Sequence, residues 1–180
     1  MEMLIVERMG PDAWERVCAI RMRALRDSPD AFWTTAAEEA AMTPGEWRRR
    51  LERSGAATFV AYRAGADVGL AAGAPHHQQE GDAGLYGMWV APEARGIGAG
   101  VALISSVAQW ARGAGYQSLR LDVGDANTPA VRLYERMGFM PTGVTATFPQ
   151  PRAHITEHER LLDLSAALRR TVQVESGIPD

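Results

Sequence analysis

Leu85-Tyr86-Gly87-Met88-Trp89-Val90, then Ala91-Pro92-Glu93-Ala94-Arg95-Gly96-Ile97-Gly98-Ala99-Gly100, then Val101-Ala102-Leu103-Ile104 is the stretch on which the reading of this chain turns. Its first six residues are dominated by large apolar side chains, the composition of a buried strand. From Gly100 to Arg112 the apolar residues Val101, Ile104, Val107, Ala108 and Ala111 recur at helical spacing. Between strand and helix stand three glycines at alternate positions, Gly96, Gly98 and Gly100. Glycines there let successive backbone N–H groups point outward, and the helix N-terminus adds partial positive charge. The loop therefore reads as a cradle for a pyrophosphate, with Arg95 adding a full charge; a glycine-rich turn that binds nothing is the plainer alternative. A strand at 118–123 and a helix at 128–137, with Pro129 at its first position, complete a strand–helix–strand unit.

Working outward, residues 3–7 (MLIVE) form a short β-branched strand. Residues 12–26 carry Trp14, Val17, Cys18, Met22 and Leu25 at helical spacing and stop at Ser28-Pro29-Asp30. Residues 31–35 make an aromatic loop. Thr43-Pro44-Gly45-Glu46 has the form of a capping box and opens a second helix to about Arg53. The stretches 58–62 and 68–72 are strands joined as a hairpin, followed by a polar, turn-rich segment at 75–84. Residues 143–148 and 157–164 are two further strands. The order β-αα-ββ-β-α-β-α-β-β describes an α+β domain with a mixed, mostly antiparallel sheet around one central βαβ unit. One domain over 1–168 suits a chain of 180 residues, and 169–180 reads as a frayed tail or one docked on a partner.

Composition mostly excludes. A net charge of −3 is a poor match to nucleic acid, whose phosphates call for a positive field. Cys18 is the sole cysteine, so no internal disulfide forms, and no Cys/His cluster has the spacing of a metal site. Cys18 itself reads as a small buried hydrophobe rather than a reactive thiol. No apolar run has the length of a membrane span, and residues 1–10 lack the pattern of a secretion signal. A reduced, cytoplasmic protein with no membrane partner is the expectation. Glycine is the one excess: 18 of 180 residues, 14 of them between Gly65 and Gly143, where backbone must bend sharply or approach another molecule.

The identity of the phosphate ligand is narrowed by spacing. A dinucleotide loop, G-x-G-x-x-G, needs a third glycine where this chain has Val101 or Leu103, although Asp122 stands where the ribose-binding acid would. A P-loop needs Gly-Lys-Ser/Thr, which is absent. Taken together, Val90-x-Pro92-Glu93-x-Arg95-Gly96-x-Gly98-x-Gly100-x-x-Leu103 and Asn127-x-x-Ala130-x-x-Leu133-Tyr134-Glu135-Arg136-x-Gly138-Phe139 resemble the GCN5-related N-acetyltransferases over about residues 85–140. The resemblance implies that fold, acetyl-CoA as cosubstrate, and a cleft where the strand at 85–90 splays from the strand at 118–123. It implies that the backbone of Met88, Trp89 and Val90 pairs with pantetheine, as an added strand would. Gly87 would be the bulge that starts the splay. The loop Arg95, Gly96, Ile97, Gly98, Ala99 and Gly100 would hold the pyrophosphate, and Asn127 and Ala130 would border pantetheine. By the same resemblance Tyr134 would protonate the leaving thiolate, and backbone N–H near Val90 would meet the oxyanion of the tetrahedral intermediate.

Each assignment has a duller reading beside it: Asn127 as a helix cap, Tyr134 as a core aromatic, Trp89 as packing, Phe32 as core. The strand at 85–90 holds no acidic residue, a departure from relatives that place a glutamate there. Glu80, Asp82, His76 and His77 are the nearby candidates for the base that deprotonates an amine, and none is singled out. The acceptor site would be walled by Phe32, Trp33 and Thr34, and by residues 148–155 with Pro149, Pro151, Arg152 and His154. The expected function is transfer of an acetyl group to a primary amine of a small molecule or peptide in a ternary complex. A non-catalytic acyl-CoA-binding domain is the alternative, and a homodimer is left open.

Overall fold

A computed structural model describes residues 3–165; the expectation for a tail at 169–180 lies outside them. Seven strands form one sheet in the order β1-β2-β3-β4-β5-β7-β6. They are β1 (Ile5–Met9), β2 (Ala57–Arg63), β3 (Ala66–Pro75), β4 (Asp82–Val90), β5 (Ser118–Gly124), β6 (Met140–Thr147) and β7 (Thr156–Asp163). Every neighbouring pair is antiparallel except β4 and β5. That one parallel contact is forced by the crossover through α4 (Ala99–Gly113), since parallel strands cannot be joined by a tight turn. The sheet is mixed, mostly antiparallel and flanked by helices, as the element order implied.

The helices α1 (Trp14–Asp27), α2 (Ala36–Ala40), α3 (Pro44–Glu52) and α5 (Thr128–Arg136) complete the fold. The expected capping box opens α3: the Thr43 hydroxyl accepts the Glu46 N–H, and Glu46 accepts the Thr43 N–H at 2.7 Å. A second box, Thr35 with Glu38, opens the five-residue α2 inside what the sequence suggested was only loop. On α4 the buried stripe is Ala99, Leu103, Ile104, Val107, Ala108 and Ala111. Val101, expected on that stripe, is 43% exposed, because in the first turn Leu103 takes the inward position. The strands also run longer than their apolar cores suggested: β4 begins at Asp82 and β6 at Met140.

Two glycines of β3 set how closely α4 approaches the sheet. A Cβ on Gly73 would stand 2.4 Å from the Trp110 ring, and one on Gly69 would stand 2.9 Å from Leu103 Cδ1. These account for part of the glycine excess by packing alone. Trp89 turns to the other face, where Asp27 at the end of α1 accepts its indole N–H at 2.9 Å. Gly73→Ala should therefore destabilise the fold by about 1–3 kcal/mol through overpacking. Urea denaturation should show a lower midpoint with an unchanged slope.

Candidate functional site

Parallel pairing of β4 with β5 covers only Asp82–Gly84 against Ser118–Arg120. Beyond it β5 continues along β7 as far as Gly124, while β4 continues along β3. The two strands thus part where the family resemblance implied a splay. Its cause lies on β4: Leu70 pairs with Trp89 and Ala72 with Tyr86, so Gly87 and Met88 together oppose Ala71. This two-for-one bulge needs the left-handed backbone of Gly87, whose φ is +60°.

One wall of the parting carries the glycine loop. Gly96 and Gly98 have φ of +78° and +92°, and Gly98 is the N-cap of α4 with no side-chain cap, so the first-turn N–H groups face outward. Gly100 has a different reason to be glycine: a Cβ there would meet Leu133 Cδ2 of α5 at 2.8 Å and Met88 Cε at 3.3 Å. Only two of the three glycines supply unusual backbone, and the third lets α5 close on α4. Arg95 is half-exposed; it donates to the Val90 carbonyl at 3.1 Å and to Asp27 at 3.0 Å. Ile97 is exposed and Ala99 buried. Asn127 caps α5, its Oδ1 accepting the Ala130 N–H at 3.3 Å. Tyr134 is 6% exposed, its ring edge-on to Phe139 at 5.7 Å. Its hydroxyl bonds to no group among the described residues, and burial pushes it above the usual phenol range.

The opposite face, toward α1, gathers residues far apart in sequence. Phe32 is buried beneath the Arg21 guanidinium, 4.4 Å above its ring, so its aromatic face belongs to the core. Thr34 bonds into the same network, receiving Arg21 at 3.0 Å and donating to Glu39 at 2.7 Å. Trp33 alone of the three is open, 54% exposed, and its indole N–H donates to Glu157 at 2.5 Å. Arg152 fastens the β6–β7 loop to this wall through the carbonyls of Pro29, Phe32 and Trp33. Burial opposes ionisation of Glu39, yet the hydrogen bonds and charge of Arg21, with Thr34 and Arg50, hold its carboxyl below the ordinary range.

The proposed bases sort themselves by partner. Asp82 is held by Arg120 at 2.6 Å, and Arg120 also grips Glu159 at 2.7 Å. His76 is buried, and its Nδ1 accepts the backbone N–H of Gln78 and Gln79, which spends its lone pair. Asp122 was missed by the sequence as a candidate for this chemistry. It lies on β5 two residues beyond the last pair with β4 and has no hydrogen-bond partner among the described residues. Its side chain is exposed by area, yet the protein around it and the Glu159 carboxylate push it above the usual carboxylate range, with His76 and His77 pulling the other way. The alternation of Arg120 and Asp122 with buried Leu119 and Leu121 was the available signal. A groove of about 600 Å³ beside Val6, Phe59 and Trp110 lies at the β1 side of the sheet and contains none of these groups. Among the described residues no helix is long and apolar enough to cross a membrane.

A sequence model described as the acetyltransferase (GNAT) family matches residues 15–139. A mycothiol acetyltransferase of Thermobispora bispora is 36% identical over 135 residues, covering 71% of this chain and 42% of that protein. The streptothricin acetyltransferase of Streptomyces lavendulae is 34% identical over 114 residues, covering 63% of this chain and 60% of that protein. The chain thus spans about half the length of these relatives. In structure, an acetyltransferase of Streptococcus pneumoniae superposes with a TM-score of 0.75 at 19% identity, covering 89% of this chain and 99% of that one. A putative acetyltransferase of Salmonella typhimurium, solved with its cofactor acetyl-CoA, gives 0.73 at 17% identity, covering 90% and 94%.

The Arg21–Glu39 pair offers a test of what holds the wall. Arg21→Met should cost about 3–5 kcal/mol, because it leaves Glu39 buried with less compensation. Arg21→Met with Glu39→Leu should recover much of that loss, read as a double-mutant cycle in urea. Because the folded pKa of Glu39 is depressed, the wild-type contribution is present above the unfolded carboxylate pKa and lost as pH falls through the folded one. The acid limb of the stability curve should therefore flatten in the double variant.

Proposed function

The chain belongs to the GNAT acetyltransferase family, and we propose that it moves an acetyl group from acetyl-CoA to a primary amine within a ternary complex. The observation that carries this reading is the parting of β4 from β5 at the Gly87–Met88 bulge, beside a helix N-terminus whose N–H groups are free. The residues present fit the cosubstrate. Beyond Gly84 the edge of β4 turned toward β5 pairs with no strand among the described residues, so Met88, Trp89 and Val90 offer backbone to the pantetheine amides. Arg95, Gly96, Ile97, Gly98, Ala99 and Gly100 would hold the pyrophosphate. Asn127, whose amide nitrogen has no hydrogen-bond partner among the described residues, and Ala130 would border pantetheine. When bound, the thioester supplies the acetyl group in activated form.

In this chain the remaining work falls to few groups. An ammonium acceptor must lose a proton before its nitrogen can attack, and Asp122 is a carboxylate beside the parting with no hydrogen-bond partner among the described residues. Backbone N–H near Val90 would stabilise charge on the carbonyl oxygen. As the new C–N bond forms and the C–S bond breaks, Tyr134 would give its proton to the sulfur. Its raised pKa keeps that proton in place at neutral pH. Two protons leave the acceptor nitrogen: one passes through Asp122 to solvent, and the second, lost as the tetrahedral intermediate collapses to the amide, restores the Tyr134 phenol, so one proton is released per acetyl group transferred. Relatives named for mycothiol and streptothricin support a small-molecule acceptor.

Thiol release, followed across a panel of amines, amino acids and peptides, tests the reading; quenching of tryptophan fluorescence by acetyl-CoA without release for any acceptor would favour a non-catalytic binding domain. Tyr134→Phe should lower kcat by about 100-fold with little change in KM. Asp122→Asn should lower kcat/KM by a similar factor near neutral pH. The wild-type rate should rise with pH through the elevated Asp122 pKa, since only the ionised carboxylate accepts a proton, and the variant should lose that limb.

A further inference from the structure

Glu157 is 5% exposed, and its one hydrogen-bond partner among the described residues is neutral, the indole N–H of Trp33. A buried carboxylate without a countercharge is costly to hold. The guanidiniums of this face are committed elsewhere: Arg21 to Glu39 and Thr34, Arg120 to Asp82 and Glu159, and Arg152 to three carbonyls. Arg120 pairs with Asp82 and Glu159 and, among the described residues, with neither Asp122 nor Glu157, while His76, 3.7 Å from Glu159, is buried and held below its usual pKa. The Trp33 ring beside Glu157 is pinned by its N–H and by Phe148, 6.0 Å away, yet 54% of the residue stays exposed. Burial raises the Glu157 pKa, and a cation seated between this carboxylate and the half-exposed indole would restore its ionised form while contacting the ring.

Register gives the distance. Asp122 pairs with Glu159 and Gly124 with Glu157, so Asp122 and Glu157 are diagonal neighbours on one face. Such positions lie about 7–8 Å apart, the span of a short aliphatic diamine. We propose that the acceptor carries two positive charges, the reacting ammonium delivered to Asp122 and the second cation held between Glu157 and the Trp33 ring. This rests on the acetyltransferase reading and adds the class of acceptor: a diamine, or an amino compound with a second cationic group a few bonds away. Holding that second cation lets the site discriminate by charge, since an acceptor without it leaves Glu157 uncompensated. Glu157 and Trp33 are positioning residues, and Asp122 meets the reacting nitrogen.

The test compares butylamine with the diamine of the same chain length at saturating acetyl-CoA, following thiol release. Wild type should use the diamine with a kcat/KM at least about tenfold higher, equivalent to about 1.4 kcal/mol, chiefly through KM. Glu157→Gln should bring that ratio close to unity. Trp33→Ala, at an exposed position that spares the core, should lower it about threefold and serves if Glu157→Gln does not fold. Equal use of the two amines by wild type, or a ratio that survives Glu157→Gln or, where that variant does not fold, Trp33→Ala, would overturn the proposal. If no amine is turned over, calorimetric Kd values for the two amines in the presence of CoA read the same ratio. Failure to bind acetyl-CoA would sink the acetyltransferase reading, whereas turnover without diamine preference would sink this inference alone.

Discussion

Hydrogen bonding between β4 and β5 stops after Gly84 and Arg120, and the layout of both walls follows from that stop. A sheet normally keeps its pairing, because every unmade backbone bond in a protected place is costly. Here β5 keeps its antiparallel partner β7 to its end, while β4 is turned away by the bulge opposite Ala71. The unpaired edge of β4 is then a template for an extended ligand, and the N-terminus of α4 stands at its end. Gly87 makes the bulge affordable, since its φ of +60° would strain any residue with a Cβ.

The two sides of the parting are built on different principles. Toward α4 and α5 the wall is backbone and small residues: Gly96 and Gly98 supply left-handed turns, and Gly100 lets Leu133 close in. An anion brought there would meet dipoles rather than a basic patch, so a net charge of −3 would be no obstacle. Toward α1 the wall is side chains, with carboxylates in excess and an aromatic ring held open. The polarity therefore changes across the parting, from backbone N–H dipoles and Arg95 on one side to carboxylates on the other.

That second wall depends on contacts between remote segments. Arg152 holds the loop after β6 to carbonyls near the end of α1, and Trp33 meets Glu157 across 124 positions of sequence. Arg21 ties α1 to α2 through Glu39, a carboxylate whose ionisation burial opposes and Arg21 favours. A change in any of these would alter the wall toward α1 and make no direct contact with the glycine loop.

Local chemistry was legible from the residues alone. The capping box at Thr43, the glycine loop before α4 and the cap at Asn127 each rest on neighbours within a few positions, where spacing and propensity decide, whereas the bulge at Gly87 was implied by the family resemblance. The element order and the mixed sheet followed from the same signals. What the sequence could not resolve was which polar groups remain free once the chain is folded. His76 and Asp82 looked available and proved committed to Gln78, Gln79 and Arg120; Asp122 drew notice only as a misplaced ribose acid and has no hydrogen-bond partner among the described residues. Phe32 and Trp33 are adjacent, yet one is core and the other open, because Arg21 covers the first and Glu157 draws out the second. Hydrogen bonding and charge compensation are set by partners brought from distant strands and helices, so the sequence by itself determined the backbone frame, and only the tertiary structure decided which side chains were left to act.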